Sequence, residues 1–64
     1  MARTTIIVAD VVQVTAMAML LDIEGEDHWI PKSVIVAPEE FDKGDVSVEI
    51  TVETWFLEKE GIEI

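Results

Sequence analysis

The sequence predicts a mainly β domain with one short helix at its C-terminal end. Three observations carry that expectation. Residues 4–14, TTIIVADVVQV, are dominated by Ile, Val and Thr, whose branched side chains suit a pleated surface. Residues 45–52, DVSVEITV, alternate strictly, with Val46, Val48, Ile50 and Val52 facing one way and Ser47, Glu49 and Thr51 the other. That is the pattern of a half-buried antiparallel strand. Residues 53–60, ETWFLEKE, then abandon the two-residue period and stop at Gly61, as a two-turn helix with a left-handed ending does.

The elements between follow in order. Residues 15–23, TAMAMLLDI, contain good helix formers, and propensity alone favours a helix there. The stretch is short, however, and runs into EGED, where Gly25 accepts positive φ. A hairpin of roughly 16–23 with 27–31 therefore accounts for it better. In that hairpin Trp29 lies on one face, with His28 and Ile30 on the other, and Pro31 sits at a strand end or edge because it lacks a donor. Residues 32–45, KSVIVAPEEFDKGD, read as a short extended piece, a break at Pro38 and a turn at KGD. The helix is capped at Thr51 or Val52 and is too short to stand alone. It is expected to dock through Trp55 and Phe56, with Ile62 touching Leu57 in a Schellman ending. A small curled antiparallel sheet of four or five strands, as in an SH3-like or OB-like barrel, suits this length.

Sixty-four residues form one domain near the lower size limit for folding without staples. The chain has no cysteine and one histidine, which rules out disulfides and thiolate zinc sites. Stability must come from the apolar half of the composition. The longest apolar run, AMAMLL at 16–21, is far short of the ~20 residues of a membrane span. The AMA at 16–18 imitates a signal-peptide cleavage site, but Asp10 and Gln13 interrupt the apolar stretch before it. The expected location is the cytoplasm.

Fourteen acids stand against four bases, for a net charge of −10. Arg3, Lys32, Lys43 and Lys59 are scattered, whereas binding to phosphates needs clustered cations. Direct contact with DNA or RNA, or with an anionic membrane surface, is thus disfavoured. The acids gather in two places: Glu24, Glu26 and Asp27 at the hairpin turn, and Glu39, Glu40, Asp42 and Asp45 around the second turn. EEFDKGD offers oxygens to a hard cation but lacks the alternate-position spacing of a calcium loop, so no metal and no cofactor is expected. No phosphate loop or nucleophile motif is present, and a serine triad built on His28 with Ser33 or Ser47 is disfavoured by spacing. The expectation is not an enzyme. Trp29 and Trp55 are expected in the core. If Trp29 is instead exposed near Lys32, it becomes a hot spot for a protein partner.

The stretches AMAMLLDIEGEDHWIPKSVI and VETWFLEKEGI resemble a group of small, mostly uncharacterised proteins of phages, prophages and mobile elements, with a WIPKS…W(L/F)xEKxG pattern. The matching positions are Leu20 to Ile23, Gly25, Trp29 to Ser33, Ile35, Trp55, Glu58, Lys59 and Gly61, with departures at His28, Val34 and Glu53. The resemblance implies a fold and a genomic habitat rather than a mechanism. Small acidic proteins of such elements are often inhibitors of host machinery, an analogy rather than a physical argument.

Three functions follow as expectations. The first is an acidic interaction module that binds a host protein, as a mimic of nucleic-acid phosphates facing a basic groove. The second is an accessory protein binding single-stranded nucleic acid through Trp29, His28 and Lys32. The third is a small structural protein that forms homo-oligomers.

Overall fold

The computed structural model describes residues 3–62. Four strands, β1 (Thr4–Val14), β2 (Ala18–Ile23), β3 (Glu26–Pro31) and β4 (Val48–Glu53), form one antiparallel sheet in the order β3-β2-β1-β4. A helix, α1 (Thr54–Glu60), follows β4 directly. The protein is mainly β, in the small curled sheet that the sequence predicts.

The curl originates in β1, which is too long to serve one neighbour. Its first half pairs with β4 (Ile7 opposite Ile50) and its second half with β2 (Val11 opposite Leu21). Where it changes partner, Val12 is an extra residue between Val11 and Gln13, a bulge that bends the strand and increases its twist. Ile35 adds a single bridge to Val52 on the outer side of β4. No ladder joins β3 to β4 among the described residues, so the sheet is curled and open.

The β2–β3 hairpin turns on two residues, Glu24 (φ 52) and Gly25 (φ 87). Positive φ at both positions is the type I′ turn, whose twist matches that of the strands it joins. Asp22 Oδ1 accepts from the Gly25 N–H at 3.0 Å. Residues 18–23 are therefore strand despite their helical propensity. The strand begins at Ala18 because Thr15 and Ala18 close a turn on each other through backbone and hydroxyl bonds.

The concave face collects Ile7, Ala9 and Val11 of β1, Met19, Leu21 and Ile23 of β2, Ile30 of β3 and Ile50 and Val52 of β4. Phe56, Leu57 and Ile62 cover it from the C-terminal end, with Val34 and Ile35 closing the side. The helix ends as expected: Ile62 N donates to Leu57 O at 3.0 Å and Gly61 N to Glu58 O at 3.2 Å, the two bonds of a Schellman motif around Gly61 at φ 71.

Three expectations need correction. The fourth strand begins at Val48, not Asp45. Gly44 N and Asp45 O bond to Val11, and Ser47 takes φ 53, so the chain turns just where the alternation continues. Val46 is left 69% exposed. The helix cap is Glu53, without a side-chain bond, rather than Thr51 or Val52. Finally, neither tryptophan is core: Trp29 is 51% and Trp55 49% exposed. The helix docks through Phe56 and Leu57, and Trp55 rests edge-on against Phe56 at 5.9 Å.

Candidate functional site

Burial on the sheet alternates, which fixes what each strand shows to solvent. Asp10 lies between buried Ala9 and Val11, and Asp22 between buried Leu21 and Ile23. Both therefore project from the convex face. Pairing then places Asp10 opposite Asp22 and Asp22 opposite Asp27. Three carboxylates cross β1, β2 and β3 in one row, each about 5 Å from the next.

Two of the three are held by backbone donors. Asp10 Oδ1 accepts from Ser47 N at 2.8 Å, and Asp22 Oδ1 from Gly25 N at 3.0 Å. Charge-assisted bonds of this kind are the stronger ones, but they do not cancel the charge. Carboxylates directly opposite each other across strands are destabilising.

One step along the strands lies an apolar strip. Leu20, half-buried, sits opposite Gln13 on one side and Trp29 on the other, with Val12 40% exposed at the bulge. An exposed aromatic ring thus stands two residues from Asp27 on the same face of β3. Lys32 follows at the end of that strand, where its N–H donates to Met17 O at 2.9 Å.

The residues expected to form the site are only partly assembled. Glu24 occupies the turn, while Glu26 and Asp27 begin β3. Asp42 and Asp45 close a turn on each other, with Asp42 N donating to Asp45 Oδ2 at 2.9 Å. The Asp45 carbonyl clamps that turn to Val11 at 2.7 Å, beside Asp10. The two acidic groups are therefore linked through β1. Glu39 and Glu40 stand apart in a 3-10 turn, Pro38–Glu40, and no hydrogen bond among the described residues ties them to the row. Sequence reading missed Asp10 and Asp22, the members that join the groups. The type I′ turn at 24–25 would have set Asp22 against Asp27, but nothing local sets Asp10 against Asp22.

His28 lies opposite Leu21 and so faces the concave side. It is half-buried, with Nε2 3.6 Å from Glu26 Oε1. Together with Ile23, Glu24, Gly61 and Ile62 these two residues line an open cavity of about 280 Å³. Trp29, on the convex side, does not meet His28. No group of three acidic or histidine side chains among the described residues is placed to hold a metal ion. The chain matches no family model, no curated protein and no solved structure.

Proposed function

We propose that the protein is a non-enzymatic interaction module that binds a basic host protein through its convex acidic face. The observation that carries this reading is the row Asp10–Asp22–Asp27 beside the exposed Trp29. Two like-charge pairs cost stability in a small domain that has little to spare. A cationic partner would relieve that cost on binding. The backbone bonds of Asp10 and Asp22 offset part of that cost, but Asp27 has no such bond among the described residues, and a local rule broken without an internal gain is where function is expected.

The partner chemistry follows from the two halves of the face. Carboxylates at one strand spacing draw Lys and Arg, and steer encounter over long range. The Leu20–Trp29 strip provides the desolvated anchor that interface energies depend on. A groove built for nucleic-acid phosphates meets the first demand, and occupying it would inhibit its owner. On this reading the chain is a phage or mobile-element product acting in the host cytoplasm.

Single-strand binding is the weaker alternative. It needs Trp29, His28 and Lys32 on one platform, and the pairing puts His28 on the opposite face of the sheet from Trp29. The test is capture of proteins from host lysate on the immobilised protein, with oligonucleotide as competitor. Capture of a basic protein that DNA displaces is the expected result. Direct micromolar binding of the oligonucleotide by the protein itself would reverse the order of the two readings.

A further inference from the structure

We propose that the outer edge of β3, residues 27–31, takes up an extended cationic segment of the partner as an added antiparallel strand. β3 ends the sheet order and pairs with β2 alone. Two observations fix which of its backbone groups are committed to that pairing. Ile23 and Glu26 flank the two-residue turn, and residues in that position exchange both ladder bonds. At the other end Lys32 N donates to Met17 O at 2.9 Å. Backbone groups alternate along a strand, so Glu26, His28 and Ile30 point to β2, while Asp27, Trp29 and Pro31 point outward. No backbone bond among the described residues outside the sheet reaches those three. Asp27 and Trp29 are also exposed. Their N–H and C=O groups, with the Pro31 carbonyl, form an open strand edge.

Charge selects the occupant. Glu26 and Asp27 begin the edge, Asp22 stands opposite Asp27, and Glu24 lies in the adjoining turn. An added strand runs about 5 Å from β3, inside the ~8 Å screening length. A second copy of this edge brings a further net charge of −10. Its Lys32, at the strand end, falls in the phase that points to β2 and cannot stand opposite Asp27. A cationic strand instead continues the row Asp10–Asp22–Asp27 with a Lys or Arg opposite Asp27. Being antiparallel, it presents the residue two places earlier to Trp29, on the same convex face. An apolar side chain there lies against the exposed ring and supplies the desolvated anchor. The residue after the one facing Asp27 meets Glu26, and is cationic as well. Both backbone bonds are exchanged at Asp27 and at Trp29, and Pro31 accepts one with no N–H to return. Affinity comes from those bonds and selectivity from the alternating side chains.

The choice of a cationic strand rests on the acidic-face reading, the strand geometry does not, and backbone methylation separates the two. The probe is the capped hexapeptide Thr-Thr-Val-Thr-Lys-Lys, whose valine faces Trp29 and whose first lysine faces Asp27 in this register. It is titrated into the full chain and followed by amide nuclear magnetic resonance. The expected result is binding at high micromolar to about 1 mM, weakening as salt rises. Amide exchange should slow at Asp27 and Trp29, and stay unchanged at His28 and Ile30, which are already bonded to β2. N-methylation of the valine and first lysine, whose amides face β3, should weaken binding at least about tenfold. N-methylation of the second and last threonines, whose amides face away, should change it by less than about threefold. Asp27→Asn should weaken binding at least about threefold at low salt. No binding at about 2 mM peptide, equal weakening by the two methylated forms, or Asp27 and Trp29 amides protected before peptide is added would each overturn the proposal. Equal weakening with the salt dependence retained would leave the acidic face as the contact. Salt-independent binding that Asp27→Asn leaves unchanged would overturn both.

Discussion

Asp10 on β1 and Asp22 on β2 face each other across one strand spacing, each with one carboxylate oxygen held by a backbone N–H, from Ser47 and Gly25 respectively. Each therefore does a local structural job, Asp22 at the hairpin turn and Asp10 on the loop entering β4. Neither job requires a row of three. Asp27, the third member, makes no hydrogen bond among the described side chains that would explain it.

Asp27→Asn should therefore raise stability. It keeps the size and polarity of the side chain and removes a like charge opposite Asp22, a contact costing roughly 0.2–1 kcal/mol. For a domain this small that is a rise in melting temperature of about 1–8 °C, larger at low salt than at high. A lower melting temperature at both salts would show that the carboxylate has a stabilising partner.

Glu24→Asn should also stabilise, for a different reason. Glu24 adopts φ 52 at the first central position of the type I′ turn, a conformation that Asn tolerates far better than Glu. A gain of up to about 1 kcal/mol in urea unfolding is expected, part of the left-handed cost that Glu bears and Asn largely avoids, with an unchanged dependence on denaturant. No gain would mean that Glu24 has a compensating contact.

The two aromatic residues of α1 should differ in how much stability they carry. Phe56 is buried, and Phe56→Ala is expected to cost about 3–5 kcal/mol, comparable with the whole stability of such a domain. Trp55→Ala should cost roughly 0.5–1.5 kcal/mol, the worth of the edge-on pair with Phe56. Thermal unfolding followed by circular dichroism would separate them. Equal losses would contradict the assignment of Phe56 as the docking residue.

What was legible in the sequence was whatever a local signal specifies. Gly25 between two apolar runs announced the hairpin, and Gly61 followed by Ile62 announced the helix ending down to its hydrogen bonds. The start of β4 was not legible, because Val46 continues the alternation while Ser47 reverses the chain through a positive φ that no glycine marks. Trp55 was misplaced because apolar character does not say which side of a two-turn helix meets the sheet; the buried pair Phe56 and Leu57 leaves Trp55 on its flank. The aspartate row was hidden for a non-local reason. The register of β1 on β2 passes through the Val12 bulge, and only the folded sheet brings Asp10 to Asp22.

The central claim, that the convex aspartate row and Trp29 form one contact surface, is tested most directly by titrating the captured partner at several salt concentrations. Wild type is compared with Trp29→Ala and with the triple variant Asp10→Asn, Asp22→Asn, Asp27→Asn, in which positions 10 and 22 keep a side-chain oxygen to accept the bonds from Ser47 N and Gly25 N. The account predicts wild-type affinity that falls steadily as salt rises, and a triple variant weaker by about tenfold or more at physiological salt. The triple variant should also show a flatter salt dependence, and Trp29→Ala should be weaker with the salt dependence retained. An affinity and salt slope that the triple variant leaves unchanged would contradict it.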